Sequence, residues 1–438
     1  MDKLMAVTFA DLSKRNTRAF ILCNKHGGDK KTNLTIIKNL LKACSIDCDI
    51  GEFESGQGHK MAREAVESGK YGLILPYGGD GTVNKAASSI ATANSQSVLA
   101  PISGGTFNHF SGLLYANTDS HKPWLNVLRM MEAVVIPIDI GKVEASQIVL
   151  ASDSSTADVE SSHKTTAYFL LSCNSGVEAC VLKYVPKRLK YYADKVYSGL
   201  GIMVIYLTAV LHLFKYKVFP VTMKSCSNQS SWTGQARSTM VAKANYAWQK
   251  SVDPIYLNDG MLTAGSIKKY WSYLKGRLDS VAFKTDSLEI TQPASVLLEA
   301  DGSLVSIVKK LEHKFGSLKT ITYRFSLAKI NVLVPSSLPQ PYIENFLATS
   351  TTAKMTNNSA MRPLTCDLTK VNCLGLATLG DGTSIVLVYN AKSKEYQVVK
   401  FDAQTKITGE IEGLQEGSSF CFAGDKTDWG YLANNVVI

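Results

Sequence analysis

Leu73-Ile74-Leu75-Pro76-Tyr77-Gly78-Gly79-Asp80-Gly81-Thr82, followed by Val83 to Ile90, decides how this chain of 438 residues is read. An apolar run of strand length gives way to glycines and then to a segment that can start a helix. Glycines at such a turn let backbone amides approach an anion closely, and the positive end of the helix faces the same point. Asp80 and Thr82 supply side chains there. Any strand-to-helix connection can look like this, because turns are rich in glycine. A second run, Ser103-Gly104-Gly105-Thr106-Phe107-Asn108, follows another short apolar segment about one strand-helix unit later. Two such runs in tandem point to a phosphate site on an α/β layer.

Outward from these runs, Arg18 to Ser120 alternates strand and helix. Ala19 to Cys23 reads as a strand, Asn24 to Gly28 as a turn, and Leu34 to Ala43 and Gly58 to Ser68 as helices, with Trp124 to Ala133 closing the series. Residues 1–135 are therefore predicted to form an α/β nucleotide-binding domain. After Val134 shorter strands are predicted, at Tyr168 to Ser172, Phe219 to Met223, Thr239 to Ala242, Leu262 to Ile267, Leu288 to Thr291 and Val296 to Leu298. Ala145 to Thr166 is rich in Ser, Thr and Asp and reads as a surface loop. Residues 136–335 are thus expected to be a β-rich sandwich. Residues 336–438 read as a linker and a small β-rich module, in which Thr383 to Tyr389 and Tyr396 to Phe401 flank a hairpin turn.

Composition narrows the function classes. A net charge of +10 is moderate for this length. The basic residues are scattered apart from Lys183, Lys187, Arg188, Lys190 and Lys195, which suits a local anionic contact or a solvated helix face, not nucleic-acid binding. Nine cysteines with no C-x-x-C pair argue against a zinc site or a disulfide framework. Reduced cysteines and the absence of an export signal after Met1 predict a cytoplasmic location. Gly199 to Phe214 is almost wholly apolar but shorter than a bilayer span requires. It reads as a buried helix or one lying against lipid, so no transmembrane span is expected. The P-loop pattern G-x-x-x-x-G-K-S/T, a dinucleotide fingerprint, H-E-x-x-H and G-x-S-x-G are all missing.

With those excluded, the text from Arg18 to Pro335 resembles the catalytic domain shared by diacylglycerol kinases, bacterial lipid kinases and sphingosine kinases. That family's G-G-D-G-T-x-x-E appears as Gly78-Gly79-Asp80-Gly81-Thr82-Val83-Asn84-Lys85, and its P-x-G-T-x-N-D as Ile102 to His109. Its N-P-x-S-G opening appears as Asn24-Lys25-His26-Gly27-Gly28, its D-D-G-x-L as Asn258-Asp259-Gly260-Met261-Leu262, and its D-G-E as Asp301-Gly302-Ser303. The resemblance implies ATP-dependent phosphoryl transfer to a lipid hydroxyl at a membrane surface, with ATP and Mg2+ as cofactors. It implies ATP contacts from Asn24, Gly78, Gly79, Asp80, Gly81, Thr82, Gly105, Thr106 and Asn108, with Asp80 near the magnesium. Asp301 would be the general base. Asp259, with the carbonyls of Tyr256 and Met261, would hold a separate structural magnesium.

The chain departs from the pattern at Lys85, His109 and Ser303, where the family has acids, and at Lys25 and Glu54. Asp-Gly pairs also make tight turns, so hairpin corners at Asp259 and Asp301 stay open. Beside the lipid kinase, two further readings stand: a catalytically impaired relative that binds nucleotide or anionic lipid, and phosphorylation of a soluble nucleotide cofactor as in NAD kinases. The C-terminal module would serve partner binding, homodimer formation or stability.

Overall fold

In the computed structural model, the run Leu73–Gly78 is a strand buried along its whole length, as a strand covered on both faces must be. The residues described are 7–15, 17–25, 30–54, 56–152, 155–159, 165–185, 200–227, 230–244, 257–274, 278, 283–335, 368–411 and 414–438. They form two units. One takes the described residues up to Ile136, those from Asn331 to Pro335 and those from 368 onward; the other takes Pro137 to Ile330.

In the first unit the strand order is Val98–Leu99, Leu73–Gly78, Ala19–Asn24, Cys48–Phe53, all parallel. Asn331 and Val332 add a parallel neighbour beside Val98 and Leu99. Ala19 sits opposite Leu73 and Cys23 opposite Tyr77, so the two central strands end level and deliver their turns to one edge. Helices Lys30–Ala43, Gly58–Glu67 and Asp80–Thr92 follow the strands in turn. Ile102–Ser103 pairs with Tyr77 and Gly78, which brings the second glycine run beside the first.

The C-terminal module belongs to this same unit. Strands Thr369–Thr378, Ser384–Asn390 and Glu395–Phe401 form an antiparallel meander that includes the predicted hairpin. Ser419–Lys426 pairs with the first of them and with Tyr431–Val437. Val399 and Lys400 pair parallel with Tyr431 and Leu432, which closes a five-stranded barrel around Val386, Val388, Val399, Phe401, Phe420 and Phe422. Closure leaves these five strands no unpaired neighbour to aggregate through. The barrel lies against the helices Lys30–Ala43 and Trp124–Met131. Lys42 pairs with Asp428, the Lys400 ammonium donates to the Ala43 carbonyl at 3.1 Å, and the Trp124 and Tyr396 rings lie 5.9 Å apart. The predicted linker, residues 336–367, lies outside the described residues.

The second unit is built from two antiparallel sheets with one core. One sheet runs Ser231–Ala236, Phe219–Ser225, Leu288–Pro293 and the long strand Leu318–Pro335; the other runs Phe283–Thr285, Leu262–Ile267, Ser238–Ala242, Ser172–Gly176, Leu298–Ala300 and Ser303–Leu304. Val221, Met223, Ile290 and Tyr323 of the first meet Cys173, Val241, Leu262 and Leu298 of the second. Two readings are corrected. Part of the loop expected from Ala145 to Thr166 is paired: Ala133–Leu150 continues as a strand, and Gln147 to Val149 oppose Thr156 to Asp158. Ala145, Ile148 and Val159 enter the core, and their burial outweighs the polar residues between them. Helices Val177–Tyr184 and Ile307–Phe315 were not foreseen.

The apolar stretch is the helix Leu200–Lys215, and burial covers only one of its faces. Leu213 and Thr208 are buried, Leu213 against Val177, Val181 and Ile267, whereas Met203, Leu207, Leu211 and Phe214 are more than half exposed. Among the described residues no helix is long and apolar enough to cross a membrane. Of the basic cluster only Lys183 is described.

Candidate functional site

The two glycine runs meet by backbone contact. A Cβ on Gly105 would overlap the Gly79 Cα and come within 2.7 Å of the Gly79 nitrogen, so Gly105 must lack a side chain for the runs to close on each other, while one on Gly79 would meet Gly105 Cα at a tight 3.3 Å. Gly78 is similarly crowded by the buried Thr82 side chain. Gly79 caps the helix Asp80–Thr92, and the amides of Asp80 and Gly81, in its first turn, have no carbonyl four residues earlier within the helix. An anion placed there meets these donors and the positive helix end.

The side chains expected at the nucleotide are divided in role. Asp80 accepts from the His109 amide at 3.1 Å and the Phe110 amide at 2.9 Å, so its carboxylate caps the helix His109–Tyr115 and ties one run to the other. Asn108 is buried in a left-handed conformation that asparagine tolerates (φ 53°). Its Oδ1 accepts from the amides of Gly104 (3.3 Å) and Gly105 (2.8 Å), while its Nδ2 donates to the carbonyls of Gly105 and Thr118. Asn108 therefore shapes the loop, and the Gly105 amide is turned toward it. Thr106 is exposed and Asn24 half-buried at the end of its strand. His26 to Gly28 lie outside the described residues.

Lys85 stands one turn into the helix, and its ammonium donates to the Gly81 carbonyl at 2.9 Å. Burial lowers its pKa from the ordinary lysine value. The chain thus puts a cation beside the first loop where the family pattern has an acid.

Asp301, Asp259 and Met261 belong to the second unit. Asp301 and Gly302 have positive φ (47° and 77°) and join Ala300 to Ser303, so the hairpin-corner reading holds for the backbone. The side chain goes further. Asp301 is buried, and its carboxylate accepts from the amides of Leu170 (2.6 Å), Leu171 (2.9 Å) and Ser172 (3.1 Å). Three such bonds fix the orientation of the carboxylate. Asp259 and Met261 also come together, and what lies between them is the buried ammonium of Lys243, 2.7 Å from Asp259 Oδ1 and 3.0 Å from the Met261 carbonyl. Tyr256 is outside the described residues.

Two residues escaped the sequence reading. Lys243 interrupts the apolar run Val241-Ala242-Lys243-Ala244, and that interruption was the available signal. Glu299, two residues before Asp301, faces inward and meets Asn174 Nδ2 and the Gly302 amide (2.8 Å). Burial raises its pKa to about 8, with the Asp301 charge adding to the rise. The folded state then holds a proton that the unfolded chain releases above the ordinary carboxyl value of 4.5. Stability is expected to fall as pH rises from there to about 8, with a limiting slope of about 1.4 kcal/mol per pH unit. Urea denaturation across that range checks this, and Glu299→Gln should flatten the slope.

Residues 18–143 match the family model of the diacylglycerol kinase catalytic domain. No curated protein sequence matches the chain. Two solved structures are similar in fold, both of proteins from Bacillus anthracis str. Sterne assigned as diacylglycerol kinases. One is 20% identical, covering 74% of this chain and 99% of that one with a TM-score of 0.53. The other is 21% identical, covering 73% and 97% with a TM-score of 0.52.

Proposed function

We propose that this chain, which carries a diacylglycerol kinase catalytic domain over residues 18–143, transfers the γ-phosphate of ATP to a hydroxyl of a diacylglycerol- or sphingosine-like lipid. The observation that carries the reading is the Gly79–Gly105 contact at the start of the helix Asp80–Thr92. It gathers amide donors and a helix end for the phosphates of ATP, which arrives as its magnesium complex. Lys85 adds positive charge at the same loop. In the transfer the lipid oxygen bonds to the γ-phosphorus, ADP leaves, and the hydroxyl proton passes to the Asp301 carboxylate.

The exposed stripe Met203, Leu207, Leu211 and Phe214 supports a lipid surface as the place of reaction. Phe214 packs on Tyr270, whose neighbour Trp271 is 73% exposed, and Lys217, Lys268 and Lys269 flank these groups. Apolar and aromatic side chains beside lysines suit the boundary of an anionic bilayer. Leu207→Glu with Leu211→Glu is expected to lower partitioning onto anionic vesicles by ~100-fold or more, since each buried leucine contributes ~1.5–3 kcal/mol. Sedimentation with vesicles measures it, and unchanged binding removes the stripe from the account.

A second reading, a nucleotide-binding relative without turnover, is favoured by one observation: both Asp80 oxygens already serve the His109 and Phe110 amides. Incubation with labelled ATP, magnesium and mixed micelles of diacylglycerol or sphingosine separates the two. Label in lipid supports the kinase. Retained nucleotide binding with unlabelled lipid supports the relative.

A further inference from the structure

The family resemblance implies a structural divalent ion on Tyr256, Asp259 and Met261, and the two of these that are described do not fit one. Lys243 is fully buried, and its ammonium lies on Asp259 Oδ1 and the Met261 carbonyl, two of the oxygens that would ligate the ion. Magnesium requires its oxygens at about 2.1 Å and calcium at about 2.3–2.6 Å. Asp259 Oδ1 and the Met261 carbonyl already accept from the ammonium, and Oδ1 also accepts from the Met261 amide, so the ion would have to take these oxygens from a cation already bonded to them. The charge is also already balanced. Asp139 lies 3.8 Å from the same Nζ, and Lys284 pairs with Asp259 Oδ2 at 3.3 Å, which sets two ammonium groups against two carboxylates. A third lysine, Lys329, reaches Asp139 at 3.9 Å from the exposed side.

The cluster also organises backbone. The Gly260 amide donates to Asp139 Oδ2 (2.7 Å), the Met261 amide to Asp259 Oδ1 (3.0 Å), and the Asp139 amide to the Leu257 carbonyl (2.7 Å). The Lys243 amide donates to the carbonyl of Leu171, whose own amide holds Asp301. A metal at this place would serve to pin the turn 257–261 to its neighbours. We propose that the Lys243 ammonium does this work permanently, as a tethered cation in place of a divalent ion, so that the second unit needs no metal to keep its fold. A buried ammonium is tolerable here because two carboxylates and a carbonyl surround it. This inference does not depend on whether phosphate is transferred.

Thermal melting of the full-length protein, without nucleotide, tests the proposal. The wild-type midpoint is expected to be the same in EDTA and in millimolar Mg2+ or Ca2+. Lys243→Ala leaves Asp139 and Asp259 facing an opened space, so its midpoint should drop by roughly 10 °C in EDTA and rise again with Mg2+ or Ca2+. A wild-type midpoint that falls in EDTA overturns the proposal, as does a Lys243→Ala protein as stable as wild type. Should Lys243→Ala fail to fold, elemental analysis of gel-filtered wild type decides. No stoichiometric Mg or Ca is expected, and one bound equivalent that Asp259→Asn removes would overturn the idea.

Discussion

Asp301→Ala is expected to destabilise the second unit by about 3–5 kcal/mol, because three buried amides lose their acceptor at once. The residues left unpartnered are Leu170, Leu171 and Ser172, and alanine would in addition have to hold the left-handed conformation at this corner. Asp301→Asn should cost less, since asparagine accepts that conformation and keeps one oxygen for the amides. The two variants therefore separate architecture from chemistry. If Asp301 takes the hydroxyl proton, Asn lowers transfer to lipid by ~10²–10⁴-fold while the protein still melts cooperatively. Equal activity in the Asn variant would leave Asp301 as a brace only. Urea denaturation followed by tryptophan fluorescence gives the stability values.

The second large effect is expected at Gly105. Adding one methyl there forces the Gly79 backbone away, and no flexible side chain can yield in its place. Gly105→Ala should weaken ATP binding by ~100-fold, equivalent to about 2.7 kcal/mol. The control is Gly380→Ala, where a Cβ meets nothing within 4 Å. Titration with a fluorescent ATP analogue reads both. Nucleotide affinity left intact in Gly105→Ala would detach the paired glycine runs from phosphate binding.

The strand-helix alternation from Arg18 to Ser120 was legible because strands covered on both faces are continuous apolar runs, and glycines mark where each one ends. The long strand Ala133–Leu150 was not, since Pro137, Gly141 and the polar residues beyond Ala145 break its pattern while its pairing is decided elsewhere in the sheet. Barrel closure was invisible for a similar reason: Val399 and Tyr431 meet only through a parallel pairing between distant segments. At the site, residue types were legible, while the hydrogen bonds each side chain makes came only with the fold. The resemblance implies Asp80 near a magnesium, and the fold adds that its carboxylate spans to the second loop because Ile102 and Ser103 pair beside Tyr77 and Gly78. The resemblance implies Asp259, with the carbonyls of Tyr256 and Met261, as ion ligands, and only the fold reveals that Lys243 arrives between Asp259 and Met261.

The first unit is discontinuous along the chain, and this sets an order of synthesis. Val98 and Leu99 leave the ribosome early, but their partners Asn331 and Val332 appear only after Pro137 to Ile330 has been made. The barrel strands that cover the helices Lys30–Ala43 and Trp124–Met131 come later still. A nascent chain therefore carries the two glycine runs for most of its elongation beside a sheet edge and two helix faces with nothing yet to cover them. The described residues of the second unit, by contrast, all fall between Pro137 and Ile330 and can fold as they emerge. A chain stalled once Pro335 has cleared the ribosomal exit tunnel should thus display a folded second unit joined to a first unit that still awaits its barrel strands.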